Sequence, residues 1–205
     1  MIYCVGFGKG YLLNHIVDYC KNNRRFLNVT NNIRFVKDAM KEYNISEVWD
    51  FACPGGDFSE NPRYFKDRIF TTLKDTKKLI KWCNDREITL IYASSEGVED
   101  CETLNVYQKI YNTSKFLNEE MIKTYCKKYR ILRIPRVYSK DRNKGLIKAL
   151  KEEKVYDPLN IEVEFIDLQD FLKQTFDKIE DDKKQFHYTT EKQTMEEIRN
   201  RYVYN

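Results

Sequence analysis

The sequence predicts an α/β fold, a doubly wound and mainly parallel sheet with helices on both faces. Three features of the 205 residues carry that prediction. Short apolar runs alternate with segments of helical period from end to end. A glycine-rich stretch, Val5-Gly6-Phe7-Gly8-Lys9-Gly10, joins the first apolar run to the first helical segment. No internal repeat, low-complexity block or linker interrupts the alternation, so residues 1–205 read as a single compact domain.

Taken in order, Ile2 to Val5 is an apolar run that ends at glycine and reads as a buried strand. Leu12, Ile16, Tyr19 and Cys20 then recur at helical spacing. Arg25 to Val29 reads as a strand, Phe35 to Tyr43 as a helix and Glu47 to Ala52 as a strand. Cys53-Pro54-Gly55-Gly56 has loop composition. Tyr64 to Cys83 is a long helix, Thr89 to Ala93 a strand, Tyr107 to Tyr129 a helix and Arg130 to Ile134 a strand. The remainder reads as helix over Gly145 to Glu153, strand over Val163 to Ile166, helix over Leu168 to Ile179, strand over Phe186 to Thr189 and helix over Thr194 to Tyr202.

Composition narrows the function classes. Hydrophobic residues make up 41% and charged residues 33%, and the net charge of +4 is spread along the chain. A nucleic-acid binder concentrates its basic charge, so no nucleic-acid partner is expected. No apolar run reaches membrane-spanning length, so no membrane partner is expected either. The six cysteines lack C-x-x-C spacing and several sit in apolar patterns, which points to free thiols in a reducing cytoplasm. Only His15 and His187 are present, so neither a histidine-based triad nor a histidine-rich metal site is expected.

Tyr111 and Lys115 carry the chemistry. Residues four apart share a helix face. An ammonium beside a phenol favours the phenolate, which lets a tyrosine act as a base near neutral pH. Ser94 and Ser95 end the strand upstream and offer a hydroxyl for a substrate oxygen. These are the parts of a carbonyl/alcohol hydride-transfer site. Gly6, Gly8 and Gly10, with Tyr11 and Leu12 opening the helix, suit a pyrophosphate at a strand-to-helix turn. The spacing departs from G-x-G-x-x-G, because Tyr11 stands where the third glycine belongs. The second strand ends in Val29-Thr30-Asn31-Asn32, without the acid that binds an adenosine ribose. Thr30 and Asn31 take that place, and Arg34 leaves NADP open beside NAD.

These motifs occur in one order, and in that order the chain resembles the extended short-chain dehydrogenase/reductases, the NAD-dependent nucleotide-sugar epimerase/dehydratase superfamily. Val48-Trp49-Asp50-Phe51-Ala52-Cys53-Pro54 resembles the family's fourth strand and the loop beneath the nicotinamide, and its Ala-Cys-Pro step is similar to UDP-glucuronate decarboxylases. Asn61-Pro62 and Ile69-Phe70-Thr71-Thr72-Leu73 resemble the next helix. Leu90-Ile91-Tyr92-Ala93-Ser94-Ser95-Glu96 resembles the fifth strand with its catalytic hydroxyl. Tyr111-Asn112-Thr113-Ser114-Lys115 with Glu119 resembles the Tyr-x-x-Ser-Lys-x-x-x-Glu signature. Leu132-Arg133-Ile134-Pro135-Arg136-Val137-Tyr138 resembles the sixth strand and the Asn-Val-Tyr-Gly end that follows it, and Phe165-Ile166-Asp167-Leu168-Gln169-Asp170 a late strand-to-helix turn.

The resemblance implies a Rossmann-like fold with a dinucleotide-binding core over residues 1–134 and a reduced substrate cap over 135–205. It implies NAD, or NADP, held by Phe51, Ala52, Cys53, Ala93 and Ile134 beside the residues above, and a nucleotide-sugar held by Pro54 and Arg136. Tyr111, Lys115 and a serine would be catalytic. The Ala-Ser-Ser step favours Ser95, and a decarboxylase-like alignment of Ser95-Glu96 favours Ser94. Glu96 matches the acid that dehydratases and decarboxylases carry, whereas simple epimerases often lack it. Relatives often dimerise through the two long helices, with Phe116 and Tyr107 as contact candidates here.

The departures define a second reading. The chain is shorter than family members before Val48, between Ser95 and Tyr111, and between Tyr138 and Phe165. Arg68 stands where the family has Asn. Arg136 replaces the Asn before Val-Tyr and would either clamp a diphosphate or block the old pocket, and Ser139 replaces a Gly. The alternative to an epimerase, dehydratase or decarboxylase is therefore a shrunken relative that binds a dinucleotide or nucleotide without turnover.

Overall fold

Strand order decides where a ligand can lie. In the computed structural model, six strands run β2-β1-β3-β4-β5-β8. They are β1 (Ile2–Phe7), β2 (Arg24–Thr30), β3 (Glu47–Asp50), β4 (Thr89–Ser95), β5 (Tyr129–Ile134) and β8 (Gln185–His187). The pairs β1–β2, β1–β3 and β3–β4 are parallel. The chain leaves β1 first toward β2 and then crosses back to β3, so the winding reverses between β1 and β3. Such a reversal opens a crevice at the carboxyl ends of the strands.

The structure describes residues 1–8, 10–20, 24–52, 62–99, 106–142, 145–155, 158–181 and 183–204, with only the backbone described at 62–66, 68, 106–107 and 145. They divide into two compact units, Met1–Arg133 with Asp181–Phe186, and Ile134–Glu180 with His187–Asn205.

In the first unit the crossovers are α1 (Tyr11–Tyr19), α2 (Ile33–Glu42), α3 (Pro62–Arg86) and α4 (Val106–Tyr125). Alternation along each strand separates two faces. Val5 and Phe7 of β1, Val48 of β3, Leu90 and Tyr92 of β4, and Tyr129 and Ile131 of β5 form one core with α2, α3 and α4. Fully burying each such side chain contributes roughly 1.5–3 kcal/mol. The other face takes α1, where a Cβ on Gly6 would meet Leu13 at 3.0 Å.

The second unit builds its own three-stranded sheet, β6 (Val137–Tyr138), β7 (Glu162–Asp167) and β9 (Glu191–Thr194). β6 and β7 are parallel, β7 and β9 antiparallel. α5 (Gly145–Lys151), α6 (Leu168–Ile179) and α7 (Met195–Arg199) complete the unit. Its core stacks Tyr138 on Phe165 with ring centroids 4.9 Å apart.

Several boundaries differ from the sequence expectation for local reasons. The strand expected over Glu47 to Ala52 stops at Asp50, whose carboxylate accepts the Ala52 N–H at 3.0 Å and turns the chain. The helix expected to Tyr129 stops at Tyr125, leaving Tyr129 to open β5. The last helix begins after Thr194, which forms a capping box with Glu197, and after Arg199 it widens into a π-turn. β6 and β9 carry no sequence expectation. β9, Glu191-Lys192-Gln193-Thr194, is wholly polar and becomes a strand through its pairing with β7. Among the described residues no helix is long and apolar enough to cross a membrane.

Candidate active site

Helical spacing puts Tyr111 and Lys115 on one face of α4. Lys115 is 3% exposed, and its Nζ donates to the Ala93 carbonyl at 2.6 Å. The same Nζ lies 4.8 Å from the Tyr92 ring centroid and 5.9 Å from that of Tyr111. The phenol of half-buried Tyr111 and the ammonium thus sit together at the carboxyl end of β4.

The two candidate serines separate by alternation. Ser94 points into the core face, where its hydroxyl donates to Glu119 Oε1 at 2.5 Å. Arg133 of β5 holds the same carboxylate through Nη2 at 2.8 Å and Nε at 3.1 Å, and also pairs with Glu99. Burial pushes the Glu119 carboxyl up, but the hydrogen bonds from Arg133 and Ser94 outweigh it and hold the group below the ordinary carboxylate range. Ser95 is half-buried and caps the short 3₁₀ turn Glu96–Val98, its oxygen accepting the Gly97 N–H at 3.3 Å. Asn112 fixes that turn by donating to the Gly97 carbonyl at 2.5 Å. A Cβ at residue 97 would meet the Asn112 amide nitrogen at 2.9 Å. Glu96 therefore sits on a turn pinned by α4.

At the β1–β3 reversal, Gly8 has φ +106°, and a Cβ there would lie 2.6 Å from the Ala52 nitrogen and the Phe51 carbonyl carbon. Its N–H donates to the Thr30 carbonyl at 2.8 Å. The Thr30 hydroxyl is also engaged, accepting the Asn32 N–H at 3.0 Å. Gly8, Thr30, Phe51 and Ala52 thus form one turn junction. Gly10 differs, because a Cβ there would meet nothing within 4 Å. It precedes Tyr11 and Leu12 in the first turn of α1, whose amides lack intrahelical acceptors. Asn31 is exposed, and so is Arg34, one residue into α2. Cys53 and Pro54 lie outside the described residues.

Ile134 and Arg136 belong to the second unit. There a cavity of about 560 Å³ is lined by Arg136, Tyr138, Ile161, Val163, Lys192 and Met195, among others. The Tyr138 hydroxyl is buried without a hydrogen-bond partner among the described residues. Burial pushes its pKa up against the opposing charges of Arg136 and Arg142.

Three residues at the site escaped the reading of spacing. Asp50, Asn112 and Arg133 stood inside expected elements and signalled nothing by themselves. An acid within the apolar run Val48-Trp49-Asp50-Phe51-Ala52 was the available sign.

Residues 71–196, more than half of the sequence, match the family described as the RmlD substrate binding domain. The chain belongs to that family. The family is of the short-chain dehydrogenase/reductase type that the colinear motifs resemble. None of the curated proteins matches in sequence. Among solved structures, this family member is similar to UDP-glucose 4-epimerase of Thermotoga maritima, solved with UDP-glucose, at a TM-score of 0.76 and 14% identity over 98% of this chain and 81% of that one. UDP-glucuronic acid 4-epimerase of Bacillus cereus, solved with NAD, gives 0.74 and 18% over 97% and 80%. The Bordetella bronchiseptica enzyme WbmG, solved with NAD and UDP, gives 0.76 and 12% over 97% and 76%. At these identities the likeness is one of fold.

Proposed function

We propose that this chain is an NAD(P)-dependent enzyme that modifies nucleotide-sugars through Tyr111, Lys115 and Ser95. The observation that carries the reading is the buried Lys115 ammonium beside the Tyr111 ring, tied to the strand end that bears the serines. The turn fits a dinucleotide. The open space at Gly10 beside the N-terminus of α1 supports a pyrophosphate there, and the exposure of Asn31 and Arg34 supports their meeting the adenosine side.

The chemistry follows from the side chains. Tyr111 Oη would take the proton of a sugar hydroxyl, and a nicotinamide held at the glycine turn would supply the hydride acceptor that lets the carbinol become a carbonyl. Lys115 stabilises the phenolate that accepts the proton. Ser95 donates a hydrogen bond to the reacting oxygen, since the Ser94 hydroxyl is committed to Glu119. Glu96, on the turn that Asn112 pins, is the acid we assign to a second proton transfer in an elimination or decarboxylation. In the second unit, Arg136 and Lys192 offer positive charge to a diphosphate. The test is whether the purified protein releases a dinucleotide on denaturation, read by mass spectrometry, and reduces it transiently with UDP-, dTDP- or GDP-sugars, read by near-ultraviolet absorbance.

The second reading, a binder without turnover, draws on Gly8. The Phe51–Ala52 backbone alone demands that glycine, so the turn would persist without a ligand. Dinucleotide binding with no nicotinamide reduction by any of those sugars selects it.

A homodimer completes the proposal. Phe70 of α3 and Ile110, Phe116 and Leu117 of α4 are exposed, at 53%, 42%, 45% and 45%. Two copies would cover these residues by pairing their long helices.

A further inference from the structure

The sheet face that carries α3 and α4 holds a second polar group that the proposed chemistry leaves unused. Asp50, at the end of β3, stands directly opposite Tyr92 of β4, so both side chains lie on this face. Three buried side-chain atoms here have no hydrogen-bond partner among the described residues: Asp50 Oδ2, Thr76 Oγ1 and Asn118 Oδ1. Their residues are 1%, 0% and 0% exposed. Asn118 donates its amide to the Tyr92 hydroxyl at 3.0 Å, and the Tyr92 ring lies under Lys115 Nζ.

A carboxylate this deep needs an opposing charge. From α3 it faces the Asp75 carboxyl, which Lys78 binds at 2.8 Å, and the Cys83 thiol, which burial pushes up. From β4 it faces the Tyr92 phenol. From α4 it faces Lys115, the cation whose field acts on it.

We propose that Asp50 is the buried counter-charge of Lys115, a positioning residue that keeps the Lys115 ammonium charged and in place beside the Tyr111 ring. The proposal rests on the reading of Tyr111 and Lys115 as the proton-transfer pair. The two charges stabilise each other, so ionising Asp50 favours the ammonium, and the ammonium favours ionised Asp50. Burial lifts the Asp50 carboxyl to about 7, against the pull of Lys115 and the Ala52 N–H, so the counter-charge develops across the neutral range.

The test is a ¹³C NMR titration of protein labelled at the lysine ε-carbon and the aspartate carboxyl, with resonances assigned by Lys115→Arg and Asp50→Asn. Wild type should show one aspartate that titrates near neutrality. In Asp50→Asn the Lys115 midpoint should fall by about one pH unit or more, the size of a lost nearby opposite charge. With an active preparation, Asp50→Asn should also lose the ionisation near neutrality from its kcat profile, with kcat down about tenfold above it and KM little changed. A Lys115 midpoint that Asp50→Asn leaves in place overturns the proposal. Should Asp50→Asn fail to fold, an Asp50 midpoint that Lys115→Met leaves unmoved, where loss of the ammonium should raise it, overturns the proposal. A wild type that never reduces the nicotinamide overturns the enzymatic reading, while the titrations still decide the Asp50–Lys115 coupling.

Discussion

Arg133 and Glu119 form a buried ion pair, at 7% and 0% side-chain exposure, and Glu119 also accepts the Ser94 hydroxyl. It joins β4, α4 and β5 immediately beneath the candidate site. Removing Arg133 leaves the buried Glu119 carboxylate with Lys123, at 3.3 Å, as its remaining charge partner. Arg133→Met should therefore lower unfolding stability by roughly 3 kcal/mol, the low end for a broken buried pair, and adding Glu119→Leu should recover part of the loss. Urea denaturation of the single and double variants measures this.

The same pair sets a pH limit. Glu119 binds its proton more weakly folded than unfolded. Its contribution is present above the ordinary carboxylate value and disappears as pH falls through its lowered folded value. In Glu119→Gln, thermal melts should lose the part of the acid-side stability slope that this residue supplies.

Asp50 acts with the opposite sign. Its folded pKa of about 7 lies above the ordinary carboxylate value, so the protonated form favours folding at low pH and that contribution fades as pH rises through about 7. At 1.36 kcal/mol per unit the effect is on the order of 4 kcal/mol across that interval. Asp50→Asn should flatten the fall in melting temperature between acidic and neutral pH. A slope equal to wild type would remove Asp50 as its source.

Gly8→Ala should destabilise the first unit by about 2 kcal/mol or more. The residue adopts a positive φ, and its Cβ would run into the Phe51–Ala52 backbone, which has no flexible end to move. Gly10→Ala, with open space around its Cβ, should cost well under 1 kcal/mol. Equal losses in chemical denaturation would refute this division of the turn.

Tyr111→Phe removes one oxygen from a half-buried ring, so the melting temperature should hold while nicotinamide reduction falls by at least ~100-fold. Glu96→Gln should preserve that reduction and suppress elimination or decarboxylation. Stopped-flow absorbance with product analysis separates the two. Variants that both match wild type would displace the site from these residues.

Phe116→Glu with Leu117→Glu should convert a dimer to a monomer in light scattering, since each places a charge on an exposed apolar face of α4. A wild type that stays monomeric at high concentration removes the dimer.

The alternating elements, the parallel sheet and the one-turn spacing of Tyr111 and Lys115 were legible in the sequence, because periodicity records which face of an element is buried. Tertiary structure decided which polar groups meet. Ser94 and Ser95 are neighbours in sequence, yet alternation sends one into the Arg133–Glu119 pair and leaves the other on the turn that bears Glu96. Asp50 looked like any acid in an apolar run until β3 and β4 paired it with Tyr92 beneath Lys115. Gly8 read as a phosphate glycine, and its packing against Phe51 and Ala52 emerged only when β1 and β3 came side by side. β9 had no apolar pattern to reveal it, since its backbone pairing with β7 and not its own side chains makes it a strand. Local pattern encodes burial along one element, whereas hydrogen bonds and charge pairs between elements depend on register, which exists only once the sheet has formed.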